Sequence, residues 1–192
     1  MGRLEKLARP MRLFTALDIS DDVRVALVEL LGKLRPGARF QWSPPENLHV
    51  TTKFIGDWPV ERVGELRTAL GRVARPGAIG IKVNGLGWFP NPHSPRVLFA
   101  GIYAGDALAN LHRDTDAACA ALGIAAETKK YSPHLTLARI RSLEGLVDVR
   151  RTIAQLPDTV FGQFAARTFG LYESVAGPGG SEYKKLEEFP LL

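Results

Sequence analysis

A histidine followed two residues later by a threonine occurs twice in this chain, at His49-Val50-Thr51-Thr52 and at His134-Leu135-Thr136-Leu137. Alternate side chains of a strand share a face, so each copy presents an imidazole and a hydroxyl on one side. Each copy follows a proline-marked loop, Ser43-Pro44-Pro45 in one case and Ser132-Pro133 in the other. Each is also preceded by a stretch with helical spacing of apolar residues. The chain therefore has to place two similar strands in two similar halves, and an internal duplication with pseudo-twofold symmetry does this most economically. Residue identity between the halves is slight outside the motif. If both strands face one cleft, one imidazole can remove a proton from water while the other gives one to a leaving oxygen. The two hydroxyls are then placed to bind non-bridging oxygens of a phosphate.

The flanking elements fit that plan. Arg12 to Ile19 alternates as a strand, and Ser20-Asp21-Asp22 supplies an N-cap and an acidic first turn. A helix is predicted from Asp21 to Leu34, with Val23, Leu27, Leu30, Leu31 and Leu34 at helical spacing and Pro36-Gly37 as its stop. After the first His-Thr strand, Pro59 opens a second helix striped by Val63, Leu66 and Leu70, closing before Pro76-Gly77. Strands are predicted over Ile79 to Leu86 and Arg96 to Tyr103, with Pro90 to Pro95 as the loop between them. A helix over Asp106 to Leu122 ends at Gly123 and leads to the second His-Thr strand. A helix from Leu143 to Gln155 and two strands around Gln163 to Ser174 and Glu182 to Phe189 complete the chain.

With 192 residues, 45% hydrophobic and 23% charged, the composition is that of a folded globular protein with no disordered tract. We expect a loosely ordered N-terminal extension over 1–11 and one domain over 12–192. The net charge of +5 and sequence pI of 9.6 suit either a mildly basic surface or an anionic partner such as nucleic acid. A single cysteine, Cys119, excludes an internal disulfide and a cysteine-based zinc site, and its place in the apolar run Ala117 to Leu122 assigns it to the core. No segment has the apolar length of a signal peptide or a membrane span, and Lys6 stands where a myristoylation signal requires Ser or Thr. A cytoplasmic monomer without a membrane anchor is expected.

The remaining histidines, His93 in the proline-rich loop and His112 on a helix, repeat no motif and are assigned to surface or structural roles. A catalytic zinc site wants three protein ligands, often as a helical His-Glu-x-x-His, so no metal and no other cofactor is expected. Arg139 lies five residues past His134, and strict alternation sends it to the opposite face. It reaches a phosphate only if the strand bends or ends first, and a solvated arginine is the alternative. Lys53 shares the parity of His49, but four residues of strand put it about 13 Å away, at the cleft rim. Phe14 is read as core, whereas Trp42 and Tyr131 are open between core packing and stacking on a nucleobase.

With these residues in place, the chain resembles the two-histidine (2H) phosphoesterase superfamily, and most closely its RNA 2′,3′-cyclic phosphodiesterase branch, once called 2′-5′ RNA ligases. The likeness is carried by RLFTALDIS from Arg12, WSPPENLHVTTKFIGD from Trp42, LGWFPNPHSPRVLFAGI from Leu86 and YSPHLTLARI from Tyr131. It implies a bilobal α+β fold with two pseudo-symmetric antiparallel sheets facing a central cleft and helices outside. It further implies that His49 protonates the departing 3′ oxygen, that His134 activates water, and that Thr51 and Thr136 bind the phosphate. Arg139 matches a basic position of this branch. Thr52 departs from the pattern, which usually has an apolar residue there, and is expected to point away from the cleft. The implied activity is hydrolysis of RNA 2′,3′-cyclic ends, or of small cyclic nucleotides, to 2′-phosphates. Two alternatives use the same site: 2′-5′ ligation, with a 5′-hydroxyl replacing water, and non-catalytic binding of RNA ends or nucleotides.

Overall fold

A computed structural model describes residues 9–178 and 180–192, so most of the N-terminal extension expected over 1–11 lies outside the described residues. Strand β1 (Met11–Asp18) leads into Ser20, whose hydroxyl accepts a hydrogen bond from the Val23 amide at 3.5 Å and caps helix α1 (Asp21–Leu34). The apolar stripe read from the sequence, Val23, Leu27, Leu30, Leu31 and Leu34, is buried throughout. Burying each of these side chains favours folding by about 1.5–3 kcal/mol. Next come β2 (Gln41–Trp42), β3 (His49–Trp58) and α2 (Val63–Leu70). Strand β2 is too short to carry a period, and nothing in the sequence announces it. The second helix is shorter than predicted, because Val60–Arg62 winds as a 3-10 turn and the helix ends at Leu70.

The second half contains β4 (Ile79–Phe89), β5 (Val97–Ala104), α3 (Asp106–Ala120), β6 (His134–Arg139) and α4 (Leu146–Ala154). The last of these starts later than the predicted Leu143, because Gly145 takes a left-handed φ of 82° just before it. A Cβ at Gly145 would lie 2.0 Å from the Gly37 carbonyl oxygen, so only glycine fits there. The stretch predicted as one strand, Gln163 to Ser174, is two: β7 (Val160–Ala166) and β8 (Thr168–Gly177), followed by β9 (Gly180–Pro190). The chain changes sheets at Arg167, with no glycine or proline to announce the crossing.

All pairings are antiparallel, in a four-stranded sheet ordered β3-β1-β8-β9 and a five-stranded sheet ordered β2-β6-β5-β4-β7. The order β1-α1-β3-α2 in the first half recurs as β5-α3-β6-α4 in the second. The helices cross over: α1 lies against β7 and α4, and α3 lies against β3 and α2. Each half thus covers a sheet of the other, and one continuous hydrophobic cluster draws on both. Strands β3 and β6 come together between the sheets, which sets the two His-Thr pairs at a shared cleft.

Candidate active site

Each motif strand carries the same irregularity. In β3 the pairing steps from Ala16↔Thr51 to Thr15↔Lys53, leaving Thr52 as the extra residue, and in β6 it steps from Phe99↔Thr136 to Leu98↔Ala138, leaving Leu137. A β-bulge reverses the parity of the residues beyond it. Beyond the first bulge, Phe54 returns to the cleft face; beyond the second, Arg139 does. Both lie five residues past their histidine, so they are pseudo-symmetric equivalents. The strict alternation that sends Arg139 to the far face is corrected by this bulge. Lys53 is corrected in the opposite sense. It is 3% exposed, away from the cleft rim, with Nζ 2.7 Å from Asp116, 3.6 Å from Glu127 and 2.8 Å from the Ala125 carbonyl. Thr52 is buried behind the cleft, its hydroxyl 2.7 Å from that of Thr15.

The histidines are held alike. Nδ1–H of His49 donates to the Asn47 carbonyl at 2.7 Å, and Nδ1–H of His134 donates to the Ser132 carbonyl at 2.8 Å. A carbonyl can only accept, so in each ring Nε2 is the atom left for proton exchange in the cleft. Nε2 of His49 is 2.9 Å from the Thr51 hydroxyl, whereas Nε2 of His134 has no partner among the described residues. Phe14 and Tyr183 pack on His49 with ring centroids 4.9 and 5.1 Å away, and Phe89 and Phe99 meet His134 at 4.9 and 5.6 Å. Burial lowers the His49 pKa to about 4, against the Asn47 bond and the Asp18 charge, which raise it. His134 and Arg139 add to the lowering. Burial also lowers the His134 pKa, with the Ser132 bond opposing and Arg139 assisting. Both imidazoles therefore favour the neutral form until an anion arrives.

The two motifs brace each other. Ser43, in the segment leading to β3, donates its hydroxyl to the Thr136 carbonyl at 2.8 Å, and Tyr131, in the segment leading to β6, donates to the Thr51 carbonyl at 2.9 Å. Tyr131 also stacks on His112 at 4.0 Å between centroids, and His112 Nδ1–H donates to the Thr52 carbonyl at 2.6 Å. Both bonds fall on the bulged segment of β3. Tyr131 is thereby a brace and not a base platform, and His112 is a half-buried structural residue. Tyr131→Phe should lower unfolding free energy by about 1 kcal/mol in urea titrations, because it leaves the Thr51 carbonyl without that partner. A difference below about 0.3 kcal/mol would mean that the bond braces nothing.

The cleft has a volume of 550 Å³. Its described lining includes Arg12, Arg139, Asn47 and both His-Thr pairs, and no carboxylate. Trp42 lines it half-buried, with Nε1–H donating to the Ala38 carbonyl at 3.1 Å. Phe14 is buried yet borders it, in a small cluster with Ala16 and Tyr172. Sequence reasoning missed Tyr183, which belongs to no motif, and Phe54, which sits in the first motif strand at the position Arg139 holds in the second. His93 is exposed in a turn capped by Asn91, and Cys119 is buried in the core. Among the described residues, no three His, Cys, Asp or Glu side chains converge as metal ligands, and no helix is long and apolar enough to cross a membrane.

The LigT like phosphoesterase family model matches residues 17–99 and 103–183. An RNA 2′,3′-cyclic phosphodiesterase of Methanocaldococcus jannaschii is 30% identical, over 93% of this chain and 100% of its own length. One of Thermus thermophilus is 33% identical, over 94% of this chain and 90% of its own. A crystal structure of a Thermus thermophilus protein superposes with a TM-score of 0.76 at 32% identity, covering 94% of this chain and 98% of that one. Escherichia coli LigT complexed with 3′-AMP has the same fold, with a TM-score of 0.77 at 24% identity over 94% of this chain and 98% of that one.

Proposed function

The chain belongs to the LigT like phosphoesterase family, and we propose that it hydrolyses the 2′,3′-cyclic phosphate of RNA ends to a 2′-phosphomonoester, with His49 as general acid and His134 as general base. One observation carries the assignment: two imidazoles, each tied through Nδ1 to its own main chain, offer Nε2 to a cleft whose described lining has arginine and hydroxyl groups and no carboxylate. On this reading Nε2 of His134 takes a proton from water as its oxygen bonds to phosphorus. The P–O3′ bond breaks on the opposite side, and Nε2–H of His49 gives its proton to the departing 3′ oxygen. Thr51, Thr136 and Arg139 hold the non-bridging oxygens as charge builds on them. Phe54, 59% exposed on the cleft wall, offers its ring to the terminal base. The cycle closes when the two histidines exchange their protons with solvent.

The reading needs no metal and no second subunit, since one chain carries both histidines; a single domain over 12–192 acting in the cytoplasm is part of the same proposal. Turnover of an RNA ending in a 2′,3′-cyclic phosphate should persist in EDTA and yield only the 2′-phosphate. Loss of activity on chelation, or a 2′-5′ linked product when a 5′-hydroxyl RNA is added, would redirect the assignment. The acidity of the two groups gives a further expectation. The reactive form needs His49 protonated and His134 neutral, so kcat/KM rises through the lower of two pKa values and falls through the higher. With one near 4 and the other depressed below 6.5, the maximum should lie between them, on the acid side of neutrality. A free-enzyme optimum above pH 7 would contradict the depressed pKa values of the two imidazoles.

A further inference from the structure

The face of the five-stranded sheet that carries His134 continues beyond the cleft, past the Asn84 carbonyl that closes over Gly101, to an open groove. Gly101 pairs with His134, and Tyr103 lies two residues further on the same face of β5, about 7 Å along the strand. Lys82 pairs with Tyr103, and Gln163 pairs with Lys82, so these side chains share that face. The opposite face, with Ile79, Ile81, Val83, Leu98, Ala100 and Ile102, is buried in the core.

Tyr103 lies flat on this surface. A Cβ on Gly101 would come within 3.3 Å of its Cε2, and one on Gly85 would come within 4.0 Å of its hydroxyl. The ring therefore spans β5 and β4 over two glycines and turns its other side to solvent, 61% exposed. Around it is a shallow groove of 640 Å³ lined in part by Gly80, Lys82 and Gln163, with no carboxylate among the described lining residues. A side chain at Gly80 would meet nothing within 4 Å, so this floor is open. A flat exposed ring beside an exposed lysine is the combination that holds an unpaired base and its phosphate. A duplex, whose bases are already stacked, could not use the ring.

We propose that this face binds the single-stranded RNA leading into the cleft, with the base next to the cyclic end stacked on Tyr103 and its phosphate neutralised by Lys82. The proposal rests on the hydrolase reading and deepens it: the preferred substrate is an oligonucleotide, not a cyclic mononucleotide.

Steady-state kinetics of wild type, Tyr103→Ala, Tyr103→Trp and Lys82→Ala test it on two substrates: a short single-stranded RNA ending in a 2′,3′-cyclic phosphate, and 2′,3′-cyclic AMP. Tyr103→Ala should raise KM for the RNA about tenfold, the loss of one stacked base, and leave cyclic AMP unchanged. Tyr103→Trp should restore the wild-type value, and Lys82→Ala should flatten the salt dependence for the RNA only. Equal effects on both substrates, or no effect on either, would overturn the platform. Should wild type turn over neither, the hydrolase reading fails instead. Fluorescence anisotropy with the same labelled RNA then decides the platform alone: about tenfold weaker binding in Tyr103→Ala supports it, and an unchanged Kd overturns it.

Discussion

Replacing His49 or His134 by alanine is expected to lower kcat on an RNA 2′,3′-cyclic phosphate by about 10²- to 10⁴-fold, the span of one positioned acid or base. The loss follows from the geometry of the rings. Nδ1 of each is committed to a main-chain carbonyl two residues upstream, so the missing Nε2 has no substitute on the same element. A water in the vacated space would be a far weaker acid or base than an imidazole, and the rings of Phe14 and Tyr183 on one side, and Phe89 and Phe99 on the other, would do little to polarise it. The double variant should be little worse than either single one, since an acid and a base acting in one displacement fail together. Each variant also strands the carbonyl of Asn47 or Ser132, so unfolding free energy should fall by about 1 kcal/mol, far too little to explain the lost turnover. Single-turnover assays beside thermal melts separate lost chemistry from lost folding. A histidine variant within tenfold of wild type would remove that residue from its role.

Replacing Lys53 by methionine should cost about 3 kcal/mol of folding stability, the lower end of breaking a buried ion pair from one side. Methionine fills the volume of the lysine stem and cannot donate. Asp116, whose side chain is 17% exposed, would lose its 2.7 Å partner, and the Ala125 carbonyl would lose a donor. Glu127 at 38% exposure can turn to water, which keeps the loss from being larger. Lys53→Met combined with Asp116→Leu should recover part of the loss, because the stranded carboxylate goes with its partner. Urea titrations of the four proteins measure this. A single-variant loss under about 1 kcal/mol would mean the lysine is only a solvated cation with a buried stem.

These two effects mark where the sequence is legible and where it is not. Period and punctuation identify α1 and both His-Thr strands, because Ser20, Pro36 and the alternation at the motifs are local signals. The duplicated order of elements follows from them. The bulges are not local. An extra residue in β3 or β6 is defined only by pairing with β1 or β5, so parity alone sends Lys53 toward the cleft and Arg139 away from it. Once the bulge is known, the burial pattern of each strand reads the same, with two successive buried residues after the threonine. The split of Gln163 to Ser174 into β7 and β8 is hidden for a similar reason. Both strands continue the same residue types, and the change at Arg167 is one of sheet and not of sequence. The cross-braces from Ser43 and Tyr131 span 93 and 80 residues, beyond any spacing rule.

The proposed reaction is a single displacement at phosphorus in which one histidine activates water while the other protonates the departing 3′ oxygen. Hydrolysis of one diastereomer of a 2′,3′-cyclic phosphorothioate RNA in ¹⁸O-water tests it most directly, since the configuration of the product counts the displacements. A single displacement requires inversion at phosphorus, with one ¹⁸O in a terminal 2′-phosphorothioate. Retention would reveal a covalent phosphohistidine between two displacements, and would contradict the acid and base roles of His49 and His134.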